Sequence, residues 1–492
     1  MQPGGLRSGP GGLTGRTASS ATLGTTPPPR GGATATHHPG LDGPVVGLGA
    51  PSPEMRPQAG SYARGEKNTR RHRPLAGNAQ RRFPTMTEEG GGLWGGVERP
   101  PNVQTSIKKS FGYISKTTMR RPHTAFHVLF ILLCLCATGY SSGSKSRFTS
   151  IISFGDSYAD TGNLVRWADP VLPPLPISNP QYGETFFGHP TGRTSDGRLV
   201  LDFIADALGL PFVPPYLGKE KNFSAGVNFA VAGAPALNLT YLQSQNLTLN
   251  PPIRHSLDDQ LVWFHTLKPS LCSGKGANCF DSTLFVMGAF GGNDYLSFLF
   301  SNRTVEQARA YVPKVVDSIS RGVEALIQSG AKNIVVADIF PLGCIPAVLT
   351  ALASRDKADY DQHGCLATLN RLLPRYHNSL LRRRIKVLRS KYPHATIISA
   401  EYYRPFIAFL HEPAHFGLNS STTLFACCGA GGPPYNVDFS AQCGQPGVMA
   451  CARPSEALQW DGFHLTDAAH RIVADGWLHG PYADPPILHV AH

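Results

Sequence analysis

Four short apolar runs that are rich in β-branched residues recur between residues 148 and 400. They are Phe148–Phe154, Thr283–Met287, Asn333–Phe340 and Ala395–Ala400. Continuous runs of this length, without alternating polar residues, are typical of parallel strands that are buried on both faces. The chain is therefore predicted to fold around a parallel β-sheet.

Helical patterns lie between and after these runs, with apolar residues at spacings of three and four. The predicted helices are Val305–Ser329, Leu366–Lys391 and Thr466–Trp477. Pro313 would kink the first of them, and Thr466 is a candidate N-cap of the last. Strands that alternate with helices predict βαβ units and one doubly wound sheet, so residues 148–492 are expected to form a single α/β domain.

Positive charge is concentrated ahead of this domain. Residues 1–143 hold 17 Lys/Arg and 6 Asp/Glu, so they account for nearly all of the formal net charge of +12. A nucleic-acid-binding domain would carry its basic residues on a folded surface, and we therefore expect no nucleic-acid partner. Residues 1–118 are rich in Gly, Pro, Ser and Thr, a composition that predicts disorder or absence from the mature protein.

Residues 119–143 have the order of a secretory signal peptide. Met119-Arg120-Arg121 precedes an apolar run over residues 126–137, and small residues follow the run. This run is shorter than the ~20 residues that a membrane span needs. We expect translation from Met119, cleavage near residues 139–143, and a protein secreted to the extracellular space or cell wall. Delivery to the vacuole and a membrane anchor through residues 126–137 are the alternatives.

Cysteines and glycosylation sequons agree with export. Eight cysteines follow the signal segment, an even number that is typical of a disulfide-bonded exported domain. Cys272 and Cys279, which would close a short loop, are the best candidates for one pair. Five Asn-x-Ser/Thr sequons predict N-glycosylation. Their asparagines are Asn222, Asn238, Asn246, Asn302 and Asn419.

A serine follows the first predicted strand directly, in Phe154-Gly155-Asp156-Ser157. Ligands of open parallel sheets bind beyond the carboxyl ends of the strands, so Ser157 is a candidate nucleophile. A serine hydroxyl needs a base to take its proton, and an imidazole base needs a carboxylate to orient it. Asp461-Gly462-Phe463-His464, ahead of the last predicted helix, supplies both groups on one loop.

Two further loops offer hydrogen-bond donors for a developing oxyanion. Gly233 lies in the small-residue segment 228–234, where its backbone N–H can approach a ligand closely. Asn293 follows the Thr283–Met287 run and would lie at the same sheet edge as Ser157. Amide side chains and backbone N–H groups are suitable donors for such a negative charge.

Taken together and in this order, the segments around Ser157, Gly233, Asn293 and His464 resemble the plant GDSL esterase/lipase family of the SGNH hydrolase superfamily. The resemblance covers about residues 148–482. It includes further family landmarks at 192–198, 338–346 and 426–429. It implies a flavodoxin-like three-layer α/β/α sandwich with a parallel sheet.

The resemblance also implies roles for single residues. Ser157 would be the nucleophile, His464 the base and Asp461 the group that orients it. The backbone N–H of Ser157, with Gly233 and Asn293, would form the oxyanion hole, and no metal or organic cofactor is expected. Two positions depart from the family pattern: Tyr158 stands where Leu is usual, and Ala232 precedes Gly233 where many members have Gly.

We therefore expect a carboxylic ester hydrolase that forms an acyl-serine intermediate on a small-molecule or lipid ester. Two alternatives stay open, an acyltransferase that uses the same acyl-enzyme and a catalytically silent binding protein of the same fold. Four aromatic residues could line an apolar substrate site, although core positions are favoured for them. They are Tyr182, Phe186, Phe187 and Trp263. The sequence indicates neither an acyl chain length nor an oligomeric state.

Overall fold

The computed structural model of the protein describes residues 146–169, 171–219, 222–247 and 255–491. The predicted tail over residues 1–118 and the predicted signal segment over residues 119–143 lie outside the described residues, so both stay predictions. The predicted domain, over residues 148–492, contains every element that follows.

A parallel sheet lies at the centre of the described domain. Its strands and those of a small second sheet are β1 Ser150–Phe154, β2 Gly226–Asn228, β3 Thr283–Met287, β4 Asn333–Ala337, β5 Thr396–Ala400, β6 Cys428–Gly429, β7 Met449–Ala450 and β8 Ala483–Asp484. The central order is β2-β1-β3-β4-β5-β8, and β6 pairs with β7 separately. All central pairs are parallel except β5–β8. The order of β1 to β5 is that of the flavodoxin-like fold.

The predicted parallel sheet is thus confirmed, with corrections at its ends. β3 and β4 are buried along their whole length, which is why their sequences read as continuous apolar runs. The predicted strand Asn333–Phe340 was too long and ends at Ala337. Beyond it, the N–H of Asp338 still donates to the carbonyl of Ala400, and its carboxylate accepts hydrogen bonds from the backbone N–H groups of Tyr402 and Tyr403.

Helices cover both faces of the sheet. They are α1 Asn163–Ala168, α2 Val200–Ala207, α3 Leu239–Ser244, α4 Leu257–Leu271, α5 Gly292–Phe300, α6 Val305–Arg309, α7 Val312–Gln328, α8 Pro346–Ala351, α9 Ala367–Leu372, α10 Pro374–Lys391, α11 Tyr403–His411, α12 Asp467–His479 and α13 Ile487–Ala491. Helix α12 packs against α2 in one layer, and α7 packs against α4 and α10 in the other. The predicted α/β/α sandwich is confirmed.

Prolines divide two of the predicted helices. The predicted helix Val305–Ser329 is two helices, α6 and α7, and Pro313 lies in the first turn of α7 instead of kinking a longer helix. Leu366–Lys391 likewise divides into α9 and α10, and Pro374 opens α10. Proline is favoured in a first turn because the N–H that it lacks has no partner inside the helix there. The N-cap is confirmed at Thr466, whose hydroxyl accepts the N–H of Ala469.

Four disulfides link the eight cysteines of the domain. They are Cys272–Cys279, Cys344–Cys365, Cys427–Cys451 and Cys428–Cys443. The first of these confirms the pair that the sequence favoured. None of the helices in the described residues combines the length and the apolar character that crossing a bilayer requires.

Candidate active site

The structure brings the predicted catalytic residues into one hydrogen-bonded chain. Ser157 follows β1, and its Oγ lies 2.9 Å from Nε2 of His464, although 307 positions separate the two residues. Nδ1 of His464 lies 2.8 Å from Oδ2 and 3.0 Å from Oδ1 of Asp461. With an Nδ1–H donor facing Asp461, Nε2 is free to accept the serine proton.

A local turn explains how residues three apart can face the same serine. Oδ1 of Asp461 accepts the backbone N–H groups of Phe463 and His464, which folds the loop back on its own carboxylate. Burial alone would raise the pKa of Asp461. The positive charge and hydrogen bond of His464, with further hydrogen bonds from Phe463 and Tyr182, outweigh burial and lower the pKa instead. Asp461 therefore remains ionised beside the imidazole.

Two tyrosines hold this loop in place. The hydroxyl of Tyr182 donates to Oδ2 of Asp461 over 2.9 Å, and the hydroxyl of Tyr158 donates to the carbonyl of Phe463 over 2.9 Å. The ring of Tyr158 stacks on Phe340, with the centroids 4.4 Å apart. A Leu at position 158 could fill this space but could not make the hydrogen bond. Tyr158, which stands where the family usually has Leu, therefore joins the turn after Ser157 to the loop that contains His464.

The two predicted oxyanion residues lie at the same edge of the sheet. Gly233 has φ of 84°, a left-handed conformation that favours glycine. Asn293 lies in the first turn of α5, and its Nδ2 donates to Oδ2 of Asp156 over 3.2 Å and to the carbonyl of Ala234 over 3.3 Å. Both residues border the cavity that contains Ser157 and His464. Their backbone and side-chain donors are therefore within one site.

Three buried carboxylates that the sequence analysis missed connect the loops of this site. Asp160 accepts four backbone N–H groups, those of Gly162, Asn163, Leu164 and Ala232. Asp294 accepts the N–H groups of Ala236 and Leu237. The segment that contains Gly233 is therefore held from both sides. The bond to Asp160 uses only the backbone of Ala232, so its methyl group is compatible with this contact.

Asp156, the third buried carboxylate, lies between the serine turn and Asn293. It accepts the N–H of Tyr158 over 3.0 Å as well as the amide of Asn293. Burial raises its pKa to about 7, against the opposing effects of the Tyr158 hydrogen bond and the charge of His464. Burial also raises the pKa of Asp294 to about 6. In the sequence, Asp156 and Asp294 are marked only by their positions, since each is adjacent to a predicted site residue.

The cavity in front of Ser157 has a volume of about 300 Å³. This is the lower end of the range for sites that bind small organic ligands. Its apolar wall includes Leu164, Ile177, Leu296, Phe300, Leu342 and Phe463. The four aromatic candidates of the sequence analysis are not among its described lining residues: Tyr182 is buried behind Asp461, and Phe186 is 46% exposed elsewhere.

Two disulfides support the segment that precedes Asp461. The N–H of Cys427 donates to the carbonyl of Gln459, and the N–H of Cys428 donates to the carbonyl of Trp460. These adjacent cysteines are bonded to Cys451 and Cys443 respectively. The N–H of Trp460 in turn donates to the carbonyl of His464. The cross-linked loops therefore brace the loop that contains Asp461 and His464.

The sequon asparagines lie away from this cavity and accessible to solvent. Asn419 is half-buried and the other four are exposed: Asn222, Asn238, Asn246 and Asn302. This exposure is compatible with glycosylation, which stays a prediction.

A serine, an imidazole and a carboxylate at the edge of an open α/β sheet define the hydrolase class of sites that act through an activated serine. Comparison with known proteins narrows this class. Residues 151–477 match the model of the GDSL-like lipase/acylhydrolase family. The chain belongs to this family, and it is an enzyme that hydrolyses carboxylic esters.

Curated relatives support the same assignment. A GDSL esterase/lipase of Arabidopsis thaliana is 45% identical over 366 residues, which cover 73% of this chain and 91% of the relative. Acetylajmalan esterase of Rauvolfia serpentina is 42% identical over 71% of this chain and 89% of its own length. Sinapine esterase of Brassica napus is 42% identical over 70% of this chain and 89% of its own length. The chain thus spans nearly the whole length of each relative.

Proposed function

We propose that this protein is a secreted carboxylic ester hydrolase that uses Ser157 as nucleophile, His464 as general base and acid, and Asp461 as the group that orients His464. The observation that carries the proposal is the separation of 2.9 Å between Ser157 Oγ and His464 Nε2. A serine hydroxyl at this distance can pass its proton to a neutral imidazole as it attacks.

The reaction proceeds in two halves. Ser157 Oγ attacks the carbonyl carbon and its proton moves to Nε2 of His464. The negative oxygen accepts hydrogen bonds from the backbone N–H groups of Ser157 and Gly233. It also accepts one from Nδ2 of Asn293, which releases one of its two long hydrogen bonds, to Asp156 or to Ala234, as the oxyanion forms. The bond to the alcohol oxygen then breaks, and the proton on Nε2 moves to that oxygen. Water repeats these steps against the acyl-serine, which releases the carboxylic acid and restores the serine hydroxyl.

Secretion is part of the proposal. Four disulfides favour an oxidising compartment, because cytosolic thiols are kept reduced. Exposed sequon asparagines agree with passage through the glycosylation machinery. The extracellular space and the cell wall are the proposed locations.

Substitution of the triad tests the catalytic assignment. Ser157→Ala and His464→Ala should each lower kcat for a short p-nitrophenyl ester by about 10⁴-fold or more, as in other serine triads. A fluorophosphonate probe should label the unsubstituted protein and not Ser157→Ala. Ser320→Ala is a matched control, because the Ser320 hydroxyl donates to the carbonyl of Val316 within α7 and lies outside the described cavity lining. Turnover by Ser157→Ala at the unsubstituted rate would refute the proposal.

A further inference from the structure

Helix α5 presents one line of side chains to the cavity. Asn293, Leu296, Ser297 and Phe300 all border it, at positions i, i+3, i+4 and i+7 of the helix. Residues at these spacings lie on one face of an α-helix. The helix that provides the candidate oxyanion amide at its first turn therefore also provides a wall of the cavity over its remaining length. From Asn293 to Phe300 this wall extends for about 10 Å, at 1.5 Å per residue.

The cavity-lining face of α5, which we call the α5 wall, and the side chain of His464 belong to different layers of the fold. Helix α5 packs on the side of α7 and α10, since the Tyr295 hydroxyl lies 2.7 Å from Nδ1 of His377 in α10. His464 precedes α12, which packs against α2 in the opposite layer. Because Nε2 of His464 must protonate the departing oxygen, the alcohol lies on the side of His464. With the oxyanion at Asn293 in the first turn of α5, the acyl group has the part of the cavity that Leu296 and Phe300 line further along the helix.

The hydroxyl groups that line the cavity are already engaged with the protein. Ser297 donates to the carbonyl of Asn293 over 2.7 Å, Thr194 to that of Ser157 over 2.8 Å, and Tyr158 to that of Phe463. Among the described lining residues, the ionisable carboxylate and imidazole are those of Asp156 and His464, and both are hydrogen-bonded. A polar acyl group would lose its hydration and find few partners on the α5 wall, because the hydroxyl hydrogen of Ser297 is already donated and only the lone pairs of its oxygen could accept a hydrogen bond.

We propose that the acyl group of the substrate is an aliphatic chain of medium length that lies along α5, and that Phe300 at the outer end sets the longest chain accepted. This proposal rests on the proposed function, because it takes Ser157 as the point of attack. Leu296 provides the apolar surface midway along the chain. Phe300 is 40% exposed, as expected for a residue at the mouth. A cavity of about 300 Å³ has room for one such chain.

Three p-nitrophenyl esters with the same leaving group test the proposal: acetate, octanoate and palmitate. The unsubstituted enzyme should show its highest kcat/KM with octanoate. Phe300→Ala should raise the palmitate-to-octanoate ratio of kcat/KM about tenfold, because it opens the outer end of the wall. Leu296→Phe should lower the octanoate-to-acetate ratio about tenfold, because it blocks the path but leaves the triad.

Phe186→Ala is the matched control, since Phe186 is exposed to a similar degree and lies outside the described cavity lining. Both ratios should be unchanged in this variant. Unchanged ratios in Phe300→Ala as well would overturn the proposal about α5, even if Leu296→Phe failed to fold. Turnover of all three esters would still depend on Ser157 in that case. Turnover that persists in Ser157→Ala would instead refute the proposed function.

Discussion

Asp156 illustrates how a single buried residue can serve two neighbours at once. Its carboxylate fixes the turn after Ser157 through the N–H of Tyr158 and holds the amide of Asn293. Since burial raises its pKa to about 7, the folded protein retains a proton on this group at a pH where the unfolded chain has lost it. The contribution of Asp156 to stability is therefore fully present below about pH 4 and is lost as pH rises through about 7.

Asp156→Asn should remove this pH dependence, because an amide does not titrate. The free energy of unfolding of the variant should fall less than that of the unsubstituted protein between about pH 4 and about pH 7, by an amount on the order of a few kcal/mol. Urea unfolding across this pH range measures the difference. Asp338→Asn should behave similarly, because burial also raises the pKa of Asp338 to about 7. Parallel pH profiles for variant and unsubstituted protein would contradict the assignment.

The sequence predicts the candidate reactive residues better than the buried carboxylates that hold their loops. Ser157, His464 and Asp461 could be predicted because nucleophilic chemistry needs these residue types after strands and on loops. Asp160 could not, since a carboxylate in a turn is more often exposed than buried, and for Asp294 the one signal was its position beside Asn293. Their role depends on backbone N–H groups from distant segments, such as those of Ala232 and Leu237. No short stretch of sequence indicates which distant N–H groups these carboxylates bind.

Among the elements, the cross-linked loops around Cys427 and Cys428 have the most direct effect on the site. They pair with the backbone of Gln459 and Trp460, immediately ahead of Asp461. The Cys272–Cys279 disulfide instead joins the end of α4 to the segment before β3, at the opposite edge of the sheet from the carboxyl ends of the strands. Comparing the Cys428–Cys443 disulfide with the Cys272–Cys279 disulfide can therefore separate effects on stability from effects on catalysis.

Replacing Cys428 and Cys443 together by Ser should lower both stability and kcat. A loop of 15 residues opens in the unfolded chain, which costs about 3 kcal/mol in the chain-entropy description. The loss of kcat should follow because the segment before Asp461 loses a brace. Replacing Cys272 and Cys279 by Ser should lower the melting temperature less and leave kcat unchanged. Equal effects of the two double variants on kcat would contradict a specific link to the site.

Elements with strong apolar patterns were predictable and short ones were not. β1, β3, β4 and β5 are apolar runs, and the structure moves their ends by at most three residues. Two short strands were not predictable: β2, which has only three residues, Gly-Val-Asn, and β8, which has two, Ala-Asp. A strand this short is stabilised by its neighbour's hydrogen bonds, not by its own side chains. The antiparallel direction of β8 likewise depends on where the chain returns after α12.

All the residues that we propose for catalysis lie in the described domain. The family match over residues 151–477 includes Ser157, Gly233, Asn293, Asp461 and His464. The segments that contain these residues are hydrogen-bonded within the described residues. Activity should therefore not require the part of the chain that precedes the predicted signal segment.

A gene that begins at Met119 should yield a protein with the same specific activity and melting temperature as the full-length gene. Both products would be secreted from plant cells, purified, and compared on a short p-nitrophenyl ester and by thermal unfolding. N-terminal sequencing of the two products would show whether both begin near residues 139–143. A markedly lower activity from the shorter gene would contradict the predicted division of the chain.

The order of the triad along the chain has a consequence for biosynthesis. The proposed nucleophile, Ser157, lies near the start of the domain, and the proposed base, His464, lies 307 positions later. A nascent chain that has not yet emerged from the ribosome as far as residue 464 possesses the serine without the imidazole that activates it. Premature termination before residue 464 would therefore produce fragments that contain the proposed nucleophile without its proposed base.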